Sequence, residues 1–269
     1  MVKSVNLQTA YPKYKMLLSN SAKKISKELG TKVIIEPTSK KICQKVGLNK
    51  EVANCLNTAD FLKMVYQKIK EKGYRIPKIF ISEEQSPREY NIAGQQLGNW
   101  NIYGPGRLEV SEPSLIIHEC AHFLHNKNMP WNQPLYAIFC SLRSLFRPFL
   151  NHKEKKILIS DFKRAYSEGY FKNIELEKSV KLGYIDEKKL KEFQKEPEKL
   201  LVRNAFKNVS EFIAEYFTLA SQGFKFSPEI TKRYEAFHGP EIKGIFTKEE
   251  INMMVKYRKK LEERKSVKL

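Results

Sequence analysis

The stretch Ser114-Leu-Ile-Ile-His118-Glu119-Cys120-Ala121-His122-Phe123-Leu124-His125 decides how this chain is read. It predicts one helix, with Pro113 suited to the first turn, where a missing N–H is no loss. The i, i+4 spacing of His118 and His122 puts both imidazoles on one face, a turn apart. Two imidazoles so placed can hold one zinc ion, at about 2.0–2.1 Å each. Glu119 projects roughly a quarter-turn around the helix, beside the ion and not on it. There it can act as general base, taking a proton from water at the ion and returning it to a leaving amine. The apolar residues on both sides of the motif fit a buried active-site helix.

A catalytic zinc usually takes three protein ligands. His125 lies two turns from His118, about 10 Å along the axis, too far to share the ion. It reads as a residue supporting a ligand from behind, a cleft-rim residue or simply a polar position, the last two being favoured. The metzincin pattern would need Gly at 125 and His at 128, and the chain has His125 and Asn128, which excludes that class. A better source is Asn208-Val-Ser-Glu211-Phe-Ile-Ala-Glu215-Tyr-Phe. Glu211 and Glu215 stand i, i+4 on a helix made apolar by Phe212, Ala214, Phe217 and Leu219. Carboxylates in such surroundings are costly unless paired or metal-bound. Glu211 is therefore assigned as the third ligand, and Glu215 as acceptor for the free N–H of a ligand histidine. The reverse assignment stays open, as does a pair of solvent-facing acids on an amphipathic helix.

Upstream, the first 57 residues read as short helices. One covers 13–29 and closes at Gly30, an apolar run follows at 33–35, and another helix covers 51–55. Thr58-Ala-Asp60 reads as the cap of a separate helix running to 72, with Phe61, Met64, Val65 and Ile69 on its buried face. The pattern then turns to period two, and short strands are expected at 77–82, 90–93, 100–103 and 107–110. Residues 126–205 read as Lys-rich and mostly helical. Helices are expected at 208–222 and 248–263. The order implies an α+β class. Residues 1–57 form an N-terminal helical extension, residues 58–269 the main domain, and 126–205 an insertion between the two motif helices.

Composition narrows the functions. The chain has 269 residues, 41% of them hydrophobic, enough for a core. The formal charge is +19. That raises nucleic acid or an anionic surface as a partner. However, the lysines are scattered in pairs, and no nucleic-acid motif or aromatic-interleaved basic stripe is present, so nucleic acid is not the expected partner. Cys43, Cys55, Cys120 and Cys140 form no C-x-x-C pair, which excludes a cysteine zinc site and a thioredoxin-type motif, and four cysteines in 269 residues are no disulfide scaffold. They read as reduced, buried thiols. No apolar signal segment stands at the N-terminus. The most apolar run, 135–150, is too short to span a bilayer and carries Arg143, Arg147 and Pro148. The expectation is a soluble monomer without a transmembrane segment. It would be cytoplasmic, or exported by a route that uses no classical signal peptide.

The pairing of His118-Glu-Cys-Ala-His122 with Asn208-Val-Ser-Glu211-Phe-Ile-Ala-Glu215-Tyr-Phe resembles the catalytic domain of anthrax lethal factor and its relatives, the Pro-Pro endopeptidases among them. The resemblance covers about 60 residues. It implies a zincin-like fold, with a small mixed sheet over the active-site helix and a mostly helical lower half. It also implies zinc held by His118, His122 and Glu211, Glu119 as base, and Glu215 as a buried second acid. Asn208 matches an Asn three residues before the ligand. Two departures stand out. The family has a Tyr seven residues before the glutamate ligand, placed to help stabilise the oxyanion, and here that position is Asn204. Tyr234 and His238, then Tyr166 and Tyr170, are substitutes by position. The stretch from His122 to Glu211 is also longer than the family leads one to expect, and its helical insertion is a candidate lid or exosite.

The function expected is zinc-dependent endopeptidase action on a protein or peptide. The substrate would lie as an added strand along an edge at 100–103 or 107–110. The alternatives are a zincin-fold pseudoenzyme that keeps zinc without turnover, and a basic protein binding nucleic acid or a membrane surface.

Overall fold

Helical periodicity dominates both ends of the chain, and a short period-two region separates them. The computed structural model describes residues 7–81, 95–97, 100–103, 113–128, 149–170 and 198–263, with positions 188, 191, 195 and 196. Two compact units result, one of Met1–Cys120 with Lys248–Leu269 and one of Ala121–Thr247.

The first unit opens with α1 (Leu7–Leu29), which buries Tyr14, Leu18, Ala22, Ile25 and Leu29 at helical spacing. Gly30, at φ 67°, ends it and turns the chain into β1 (Val33–Ile35). After α2 (Lys40–Val46), α3 (Leu48–Glu71) packs against α1. α3 runs unbroken through Thr58, so the helix start expected there is corrected. Thr58 is fully buried inside the helix, and the preceding Asn57 gives its amide N–H to Leu261 O at 2.8 Å. That bond draws α3 against α9 (Lys248–Glu262). Between α1 and α3, Thr38 Oγ1 donates to the buried Glu51 carboxylate at 2.7 Å, so that carboxylate is hydrogen-bonded.

The sheet holds β2 (Lys78–Ile81), β3 (Gln95–Leu97) and β4 (Trp100–Tyr103) beside β1. Its order is β1-β2-β4-β3, with β1–β2 and β2–β4 parallel and β3–β4 antiparallel. Ile79 and Ile81 are buried, as alternation in β2 requires. The class is α+β with a small mixed sheet. The strands expected at 77–82 and 100–103 are present, while those at 90–93 and 107–110 lie outside the described residues. One expectation is overturned. β4 has β2 on one side and β3 on the other, so 100–103 is no edge, and its main-chain groups already pair.

α4 (Pro113–Asn128) begins in the first unit and continues into the second. The second unit adds α5 (His152–Ser167), α6 (Glu198–Ala205), α7 (Val209–Ala220) and α8 (Pro228–Ala236). Its core is aromatic. Phe212 meets Phe149 and Phe237, while Tyr216 lies stacked between Phe226 at 4.2 Å and Tyr234 at 3.9 Å. Buried Asp161 on α5 accepts from Ser227 N at 2.9 Å and Ser227 Oγ at 2.8 Å, which fixes the start of α8. Arg233 on α8 pairs with Glu154 on α5.

Candidate metal centre

α4 is held by its apolar residues, with Ile116, Ile117, Cys120, Ala121 and Phe123 all buried. The Cys120 thiol faces Arg75 O at 3.6 Å, and burial pushes its pKa well above the usual thiol range. It packs as a small apolar group, not as a nucleophile. Cys43 and Cys55 are buried, hydrogen-bonded thiols outside any disulfide; Cys140 lies outside the described residues. Packing of this kind leaves the polar residues of α4 on other faces. His118 is 9% exposed and Glu119 7%.

α7 is set by its N-cap. Asn208 has extended backbone, and its Oδ1 accepts the N–H of Glu211 at 2.9 Å. That explains an Asn three residues before the ligand: it orders the first helical turn, from which Glu211 projects. The same N-x-x-E spacing starts α5, where Asn151 and Glu154 complete a reciprocal capping box. At α7 the carboxylate has a further neighbour. Glu211 Oε1 lies 3.6 Å from His122 Nε2. Two ligands of one tetrahedral ion at about 2.0–2.1 Å stand about 3.3 Å apart, so little movement would close the pair on a metal.

Ligand atoms of His118, His122 and Glu211 all lie within 4.8 Å of one another. Two imidazoles and a carboxylate, gathered from two helices, can hold a metal ion. Neither a family model, nor a curated protein, nor a solved structure matches this chain. The donor group therefore stands on its own geometry.

The other ring nitrogen of His122 is also engaged. Nδ1 lies 2.8 Å from Ser210 Oγ. Were Nε2 to hold an ion, the proton would sit on Nδ1 and donate to Ser210. Sequence reasoning missed Ser210. Its one signal was a place beside Glu211, and a serine in a first helical turn is common for unrelated reasons. Glu215, expected to serve a ligand histidine, is buried at 5% exposure one turn beyond Glu211. The donor group includes Glu211 and not Glu215.

His125 requires a correction. It is 3% exposed, hence no cleft-rim residue, and its Nε2–H donates to Phe237 O at 2.9 Å. Burial holds its pKa below the usual imidazole value, the Phe237 carbonyl opposes this, and His238 adds to it. The carbonyl comes from the turn after α8. There His238 N–H donates to Glu235 O and Gly239 N–H to Tyr234 O, a Schellman cap with His238 at φ 58°. His238 is exposed. Tyr234 is buried, and its hydroxyl donates to Pro240 O at 2.6 Å. A Cβ added at Gly239 would come within 2.3 Å of the Tyr234 ring, so the turn sits directly on that ring. Neither Tyr234 nor His238 belongs to the donor group. Of the other substitutes, Tyr166 is exposed and Tyr170 packs edge-on against Phe224.

Proposed function

We propose that this chain is a zinc-dependent metalloendopeptidase with a zincin-like active site. The observation that carries the reading is the gathering of His118, His122 and Glu211 within reach of one ion. Two nitrogens and one carboxylate oxygen are a donor set that suits zinc and leaves a position open for reaction. The resemblance of both motif helices to the lethal factor group supports the same assignment. Zinc bound there would supply Lewis acidity, polarising a carbonyl and easing deprotonation of water.

The chain's own residues do the rest. Ser210 holds the His122 ring so that Nε2 faces the ligand position. Glu119, next to His118 and largely shielded from solvent, takes the proton of the attacking water and delivers it to the departing amine. Asn208 keeps Glu211 in place through the helix cap. Asn204 has no hydroxyl to offer an oxyanion, so stabilisation there depends more heavily on the metal.

The test is zinc content of purified protein alongside Glu211→Ala, Glu215→Ala and Glu119→Gln. About one zinc per chain is expected in the wild type, lost in Glu211→Ala and weakened in Glu215→Ala. Glu119→Gln should keep zinc and lose cleavage of a peptide library. Failure to take up zinc overturns the reading. So does cleavage that persists in Glu119→Gln. Zinc without any cleavage in the wild type leaves a zinc-binding pseudoenzyme.

A further inference from the structure

α5 and α6 lie side by side and leave a groove of about 520 Å³. Its floor is apolar, formed by Ile159 with Val202 and Phe206. Cations border it from both sides, Lys163 on α5 opposite Lys199, Arg203 and Lys207 on and just after α6. All four are exposed. Helical spacing produces the arrangement: Lys163 follows Ile159 by four residues, Val202 follows Lys199 by three, and Arg203 follows Lys199 by four. Lys199 pairs with Glu196. Lys163, Arg203 and Lys207 make no ion pair among the described residues. Glu198 is the acid in the described lining, so the groove stays strongly positive.

An apolar floor with Lys163 on one side and Lys199, Arg203 and Lys207 on the other is complementary to an apolar anchor flanked by carboxylates. Burying the anchor supplies the driving force, and the flanking charges set orientation and speed encounter. A lipid with one head group would need its positive charge gathered at one end of a closed channel. Here three cations are spaced along the α6 side, over Lys199 to Lys207, and a fourth, Lys163, stands on the α5 side. We propose that the α5–α6 groove docks an acidic peptide segment carrying an apolar anchor. On the endopeptidase reading it is an exosite that selects protein substrates with such a segment outside the scissile bond.

The test uses full-length protein carrying Glu119→Gln, so that bound peptide is not cut. The probe is a fluorescein-labelled peptide with a Leu-Phe pair flanked on both sides by Asp and Glu, followed by fluorescence polarisation. The combined variant Lys163→Glu, Arg203→Glu, Lys207→Glu should weaken binding about tenfold or more. The matched control Lys256→Glu, Lys259→Glu, Lys260→Glu on α9 should leave it within about twofold. Replacing Leu-Phe in the probe by Ser-Ser should abolish binding. Thermal unfolding of both triple variants checks that they fold. Equal loss in the two triple variants overturns the proposal, because binding is then general attraction to a basic protein. So does undiminished binding of the Ser-Ser probe, or displacement of the peptide by single-stranded RNA at lower concentration than by unlabelled peptide. Wild-type cleavage of short neutral peptides reads the catalytic assignment separately. Cleavage without docking removes the groove alone, whereas docking without cleavage keeps the groove and removes the endopeptidase.

Discussion

At His122 the two ring nitrogens face different partners, Ser210 Oγ at Nδ1 and the Glu211 carboxylate near Nε2. A hydroxyl at Nδ1 fixes the tautomer and the ring angle before any metal arrives. Ser210→Ala should therefore lower zinc affinity about 10- to 100-fold, read by competition with a chelating dye, and Ser210→Thr should recover most of it. Unchanged affinity in Ser210→Ala would reduce the contact to an incidental one. The three candidate ligands were legible in the sequence because helix geometry converts spacing into direction. Ser210 was not, because its role depends on which helix packs beside α7.

The cap of α8 is the element that ties the aromatic core to the far end of α4. Its left-handed residue is His238, where glycine is the usual occupant. A side chain at such φ costs roughly 1–2 kcal/mol, against about 0.5–1 kcal/mol for the greater unfolded freedom of glycine. His238→Gly should thus stabilise the protein by about 0.5–1 kcal/mol in urea unfolding, with cleavage unchanged if the residue is only a cap. A fall in kcat with that gain in stability would give His238 a second role at substrate. Elements show the same split in legibility. Strong periodicity marked α4, α7 and α9 closely, whereas Thr58 suggested a helix start that α3 does not have. A polar residue inside a helix looks like a cap until its tertiary partner is known, and for Asn57 the partner is Leu261, 204 positions away.

At the scale of the whole molecule, stability should carry a histidine signature. Burial depresses the His125 pKa in the folded chain, while the unfolded chain returns it to about 6.5. The folded state then binds fewer protons than the unfolded one below that value. The contribution is complete above pH 6.5 and is lost as pH falls through it towards the lower folded pKa, with a slope of at most about 1.4 kcal/mol per pH unit. Wild type should lose more stability than His125→Gln between neutral and mildly acidic pH, measured by chemical unfolding across the range. Parallel curves for the two proteins would mean that His125 contributes nothing to the acid side. No helix among the described residues is long and apolar enough to cross a membrane; positions 135–148 of the most apolar run lie outside those residues.

The sequence by itself determined the α+β class, two of the four strands among the described residues and the three ligand candidates, because these depend on local periodicity and on spacing along single helices. Tertiary structure decided what depends on contacts between distant segments. β4 became an interior strand once β3 paired with it. His125 became a buried anchor once the α8 cap met it, and Tyr234 gave its hydroxyl to Pro240 under a glycine turn. Hydrogen-bond partners far apart in the chain leave no periodic trace, so the sequence named the candidate metal ligands and only the fold brought Ser210 to one of them.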